Sequence, residues 1–86
     1  MSYEVRLHPK VVKFLEGLPK NIEIRIKEKL KGLSANPFYY LEHYEGADFY
    51  KLRVGDYRAL IDIDFQRKIL FVRVLDKRGR IYKRKH

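Results

Sequence analysis

Eighty-six residues make one small domain with a single core, in which only about 60–65% of the unfolded surface is buried on folding. Cysteine is absent and His8, His43 and His86 are scattered without ligand spacing, which excludes disulfides and thiolate metal sites and argues against any metal or cofactor. Twenty Lys and Arg against 11 Asp and Glu give a formal charge of +9, a field that points to a polyanion, with nucleic acid first and an acidic protein partner second.

The residues Tyr3, Val5 and Leu7 alternate with Glu4 and Arg6, so a strand with one buried face opens the chain. Met1-Ser2-Tyr3-Glu4 is not a charged-then-apolar leader, and no run approaches the roughly 18 apolar residues of a membrane span, so a cytoplasmic location is expected. His8-Pro9 starts a helix, because proline suits the first helical position, and Val11, Phe14, Leu15 and Leu18 form its apolar stripe. From Pro19 to Leu33 the isoleucines 22, 24 and 26 alternate as a strand would. Yet Ile22, Ile26, Leu30 and Leu33 share one helical face and Glu23 stands four residues before Lys27, so the segment is read as a second helix. Ser34 to Asp48 has no sustained period and is expected to be an ordered loop. Strands follow from Phe49 to Val54, Tyr57 to Ile63 and Lys68 to Leu75. The order predicts one α+β domain over residues 1–86: an N-terminal strand, then an αα-hairpin packed on one face of an antiparallel sheet that ends in a three-stranded meander.

Gly55-Asp56 is a two-residue hairpin signal, and it sets Val54 opposite Tyr57, Arg53 opposite Arg58, Leu52 opposite Ala59 and Lys51 opposite Leu60. Two arginines facing each other normally weaken a sheet. With Asp64–Arg67 as a four-residue turn, Ile63 faces Lys68 and Arg58 faces Arg73. That register keeps Ile61, Ile63, Leu70, Val72 and Val74 under the helices, whereas a one-residue slip buries Arg73. The other face gathers Lys51, Arg53, Arg58 and Arg73. Arginine forks recognise phosphate through paired hydrogen bonds. The plainer account is that these arginines snorkel to water or pair with Asp48, Asp56, Asp62 or Asp76, and for Arg73 alone it is the better one. Likewise, the run from Lys77 to His86, six Lys and Arg with no acid, is as simply a solvated tail.

Such a face has the parts for metal-free RNA cleavage by 2′-hydroxyl attack. Arginine is practically never deprotonated, so it serves the developing phosphorane charge. A lysine serves as base when neighbouring positive charges favour its neutral form, and Lys51 lies beside the arginines. Tyr50, Tyr57 or Tyr82 offers a ring for an extruded base, although a tyrosine is more often core or rim and Tyr57 falls on the apolar face.

The order of elements, the segment Tyr50-Lys51-Leu52-Arg53-Val54-Gly55-Asp56-Tyr57-Arg58 and the end Val74-Leu75-Asp76-Lys77-Arg78-Gly79-Arg80-Ile81-Tyr82 resemble the RelE/ParE superfamily of bacterial and archaeal toxins, in its RelE-like branch. The resemblance covers nearly the whole chain. It implies a toxin of a type II toxin–antitoxin system: a ribosome-dependent endoribonuclease that cuts messenger RNA in the decoding site without metal and leaves a cyclic phosphate. It also implies a RelB-like antitoxin with an acidic amphipathic segment as partner. By motif, Lys51 and Arg53 match the lysine-rich hairpin strand. The family's second position there is often Lys, so Arg53 departs from it and Lys51 is the better candidate base. Arg58 matches the phosphorane-stabilising arginine, Arg78 the later arginine that donates a proton or holds phosphate, and Tyr82 the base-stacking tyrosine. Arg80 is an alternative to Arg78, because the stretch before Tyr82 is shorter than in some relatives. Arg73, Lys77, Arg80, Lys83 and Arg84 complete the set as RNA contacts. Two other readings stay open: a ParE-like toxin that binds a type II topoisomerase, and a non-enzymatic basic RNA-binding module or inactive toxin relic.

Overall fold

A computed structural model describes residues 2–43 and 48–81, with Ile81 described in its backbone only. The chain runs β1 (Glu4–Leu7), α1 (Pro9–Glu16), α2 (Lys20–Leu33), α3 (Pro37–Tyr40), β2 (Glu42–His43), β3 (Tyr50–Val54), β4 (Tyr57–Asp64), β5 (Ile69–Lys77) and α4 (Arg78–Ile81). The expected α+β order holds. The segment expected to be loop carries two short elements, α3 and β2, and a further short helix, α4, follows β5.

Local chemistry sets the helix ends. His8 Nδ1 accepts the Lys10 backbone N–H at 3.0 Å and Pro9 occupies the first turn of α1. In α2 the alternating isoleucines resolve as a helix: Ile26 is buried in the core while Ile24 faces solvent. Glu23 accepts from the Lys27 ammonium at 2.7 Å, one turn on.

The five strands lie in the order β1-β5-β4-β3-β2. The meander β3–β4–β5 and the short β2 are antiparallel, whereas β1 runs parallel to β5, with Glu4 beside Ile69. Parallel neighbours need a long connection, and here the helices and the meander supply it. Under α1 and α2 the core gathers Val11 and Leu15, Ile26, Leu30 and Leu33, and from the sheet Leu52, Val54, Ala59, Ile61, Leu70, Val72 and Leu75.

The β3–β4 pairing has the expected register, including Arg53 opposite Arg58. The β4–β5 pairing differs in two steps. The turn is Phe65–Lys68, one residue later than expected: Asp64 Oδ1 accepts the Arg67 backbone N–H at 3.0 Å and Lys68 takes the left-handed φ of +57°. Ile63 therefore faces Leu70, a shift of two that leaves every side chain on its expected face. Then a bulge intervenes. Ile61 pairs with Val72 but Leu60 pairs with Val74, so Arg73 is the extra residue and all positions after it change face. Leu75, not Val74, enters the core, and Asp76, not Arg73, lies opposite Arg58.

Two outcomes test this arrangement. Leu75→Ala should cost about 2–5 kcal/mol in denaturant unfolding, as a cavity-forming core truncation does. Val74→Ala, half-buried on the other face, should cost about 1 kcal/mol or less; the reverse ranking would restore the unbulged register. The Lys27 ammonium, through its hydrogen bond, holds the Glu23 carboxyl below the usual carboxylate range. The stability from this depressed group is present above the ordinary glutamate value of about 4.3 and is lost as pH falls through the lower folded value. Glu23→Gln should remove that part of the acid sensitivity, as read from unfolding midpoints between about pH 5 and pH 2.

Candidate functional site

The hairpin between β3 and β4 turns on Gly55, whose φ of +57° at the first loop position is that of a type II′ turn. Here glycine is required by conformation, and the Arg25 guanidinium lies 3.5 Å from where a Cβ would stand. The turn's carbonyls meet a second arginine. Nη1 of Arg58 donates to Gly55 O at 2.8 Å and to Tyr57 O at 2.9 Å, and the residue is only 6% exposed. The facing pair Arg53 and Arg58 is tolerable for this reason: Arg58 is drawn to the turn, while Arg53 stands exposed in solvent.

Asp76, 1% exposed, lies opposite Arg58 on β5, and its Oδ1 accepts the Lys77 backbone N–H at 2.7 Å. Immediately after β5 the chain enters α4, and the Arg78 N–H donates to Asp56 O at 2.8 Å. That bond ties the start of α4 to the hairpin loop and brings Arg78 against β3 and β4. The result is an open cleft of about 240 Å³ lined by Glu42, Lys51, Arg53, Arg58 and Arg78. Among the described residues, four cations from β3, β4 and α4 thus share one cleft with a single lining carboxylate. Glu42, across from Lys51 in the β2–β3 pair, stands 3.7 Å from its ammonium and is largely exposed. An open cleft of this charge suits a phosphodiester.

Of the residues singled out from the sequence, Lys51, Arg53, Arg58 and Arg78 are brought together, and Arg80, exposed on α4, is not among those lining the cleft. Arg73 is not beside Arg53 and Arg58, because the later turn and the bulge carry it along β4, where its Nη1 bonds Asp62 at 3.1 Å. Lys77 is exposed at the end of β5. Tyr82, Lys83 and Arg84 lie outside the described residues. Tyr57 packs on the core, edge-on to Phe14 at 6.1 Å, and Tyr50 is partly buried against it. Sequence reasoning missed Glu42, since a two-residue strand leaves no alternation to read; Asp76, one of the four acids named as possible partners of the arginines, is set opposite Arg58 only by the bulge.

Residues 5–81 match the family model described as the ParE toxin of the type II toxin–antitoxin system parDE. A chain of the archaeal RelE–RelB complex from Pyrococcus horikoshii OT3 is 32% identical with a TM-score of 0.78, over 93% of this chain and 99% of that one. A chain of the toxin–antitoxin complex RelBE2 from Mycobacterium tuberculosis is 27% identical with a TM-score of 0.79, over 91% of this chain and 100% of that one. A chain of the RelB–RelE complex from Methanococcus jannaschii is 25% identical with a TM-score of 0.71, over 91% and 95%. With the fold shared across its length and the family model spanning β1 to α4, this chain belongs to the ParE toxin family of the RelE/ParE superfamily and is a RelE-like toxin of a type II toxin–antitoxin system.

Proposed function

We propose that this toxin is a ribosome-dependent endoribonuclease that cuts messenger RNA in the decoding site by attack of the 2′-hydroxyl on the adjacent phosphate, without a metal ion. The observation that carries the reading is the gathering of Lys51, Arg53, Arg58 and Arg78 around one open cleft. A topoisomerase-binding toxin has no need of four cations converging on a phosphate-sized space.

Each residue has a role that its placement supports. Arg58 is the most rigidly held, since the two carbonyl bonds engage Nη1 alone and fix the plane of the whole fork. Its Nε and Nη2 edges are then the preorganised donors for a phosphorane whose charge grows during attack. Arg53, exposed beside it, steadies the same phosphate. On the family resemblance Lys51 is the candidate base toward the 2′-hydroxyl, and Arg78 faces the departing 5′-oxygen. Tyr82 is assigned base stacking, and Arg73, Lys77, Arg80, Lys83 and Arg84 outer RNA contacts, on the family resemblance. The partner is a RelB-like antitoxin, as in the complexes of the related toxins, with acids set against this basic surface. The ribosome supplies the messenger, and the cytoplasm is where the two meet.

The decisive measurement maps 5′ ends of messenger RNA on purified ribosomes with the protein added, with and without chelator. Chelator-resistant, translation-dependent cuts within codons are expected; no cuts, with binding to a type II topoisomerase, would establish the second reading that the ParE name of the family model favours. Lys51→Ala and Arg78→Ala should each lower cleavage by about 100-fold or more while the unfolding midpoint stays in place. Arg58→Ala should lose cleavage and also about 1–3 kcal/mol of stability, because the Gly55 and Tyr57 carbonyls lose their donor. Unchanged stability in that variant would remove the structural half of its role.

A further inference from the structure

Among the described residues only three charged ones are buried: Glu23, Arg58 and Asp76. Glu23 has the Lys27 ammonium at 2.7 Å. The other two stand opposite each other in the β4–β5 pair, so their side chains leave the sheet on the same face, that of the cleft. Asp76 is not one of the residues lining the cleft, and the roles given to Lys51, Arg53, Arg58 and Arg78 leave it unused.

A guanidinium and a carboxylate are each costly to take out of water, and a buried ion persists where an opposite charge and hydrogen bonds compensate it. The Gly55 and Tyr57 carbonyls give Arg58 hydrogen bonds but only partial charges. Glu42, the acid that lines the cleft, is largely exposed and set against Lys51. Asp76 brings a full negative charge to the position that faces Arg58. That charge is also fixed in place. Its Oδ1 accepts the Lys77 N–H at 2.7 Å, and the Arg78 N–H that follows is tied to Asp56 O at 2.8 Å, so the end of β5 is pinned on both sides of the carboxylate.

A fixed opposite charge changes what Arg58 does. A lone cation draws phosphate from a distance, in the ground state as much as in the transition state, and such uniform binding does not speed the chemical step. A cation with a carboxylate beside it has the field of a dipole, which fades faster with distance, while its N–H edges still act at hydrogen-bond range. The long-range pull is then left to Lys51, Arg53 and Arg78. Arg58 is kept for the charge that grows on the phosphorane.

We infer that Asp76 is the buried counter-charge of Arg58 and a positioning residue for the reaction: it holds the guanidinium within the sheet face and exchanges part of the grip on bound RNA for a fixed donor at the transition state. This rests on the cleft being the RNA site.

The test uses the full chain and Asp76→Asn, which keeps an oxygen for the Lys77 N–H and removes the charge. Binding of a labelled, fully 2′-O-methylated decanucleotide, which cannot be cut, is read by fluorescence anisotropy and should tighten about two- to ten-fold at low salt. Single-turnover cleavage on ribosomes should slow by about ten-fold or more. Affinity and rate thus move in opposite directions, which a merely structural loss does not produce. In an Arg58→Lys background, which keeps the charge without the fork, the same change should slow cleavage less than about two-fold. Affinity and rate that fall together with the thermal midpoint overturn the inference, as does either one left unchanged, or full slowing in the Arg58→Lys background. Where Asp76→Asn alone does not fold, Arg58→Met/Asp76→Asn decides, because it removes both buried charges. That double variant should fold whenever Arg58→Met does; an unfolded double beside a folded single overturns the pairing. Tighter binding by Asp76→Asn, in a protein whose parent makes no cuts on ribosomes, supports the counter-charge and removes the nuclease.

Discussion

The cleft depends on one residue in β5 that has no counterpart in β4. Between the Ile61–Val72 and Leu60–Val74 pairs, Arg73 is inserted, and every later side chain of β5 is turned to the opposite face. Without that insertion Val74 would point into the core, Leu75 would lie on the cationic face, and Asp76 would be driven under the helices. With it, Leu75 seals the core and a carboxylate is set beneath the arginine that shapes the cleft. The bulge also sets the phase in which the chain leaves the sheet, so that the Arg78 N–H reaches the Asp56 carbonyl and its side chain joins β3 and β4.

Around this point the site is built by divided labour. Arg58 is buried and engaged with two turn carbonyls, which makes it both a clamp on the hairpin and a fixed donor. Lys51 and Arg53 stand on the neighbouring strand, and Arg78 comes from a helix of four residues held by its first N–H. Two neighbouring strands and a helix start therefore supply one cation or more each. Electrostatic repulsion among them is partly offset at one edge, by Glu42 on Lys51, while Asp62 pairs with Arg73 outside the cleft. Both of these pairs are exposed and contribute little to stability.

Much of this was legible in the residues. The apolar stripes of α1 and α2 are long enough to show a helical period, and Gly55-Asp56 determines the pairing of Arg53 with Arg58 without ambiguity, since a two-residue loop permits one register. The bulge was harder to see. Arg73 between Val72 and Val74 reads as ordinary alternation, and with Ile69-Leu70-Phe71-Val72 already apolar throughout, Leu75 directly after Val74 does not stand out as one residue too many. The turn is displaced because the Asp64 side chain bonds a backbone N–H inside the loop, an effect of geometry and not of composition. Nor does any local pattern announce that β1 will lie parallel to β5, or that two residues, Glu42 and His43, suffice to form the opposite edge.

The placing of β1 has a consequence for the order in which the molecule is assembled. Glu4 finds its neighbour only in Ile69, so the strand that opens the chain waits unpaired while the helices and the first hairpin form. Contacts this distant in sequence carry a loop-closure cost that is met late and slows folding. A chain still lacking β5 has neither its first strand in the sheet nor Asp76 and Arg78 against the hairpin. The four cations converge only when the sheet closes, so a complete chain whose last strand has not yet docked has the basic residues of the cleft but not the cleft.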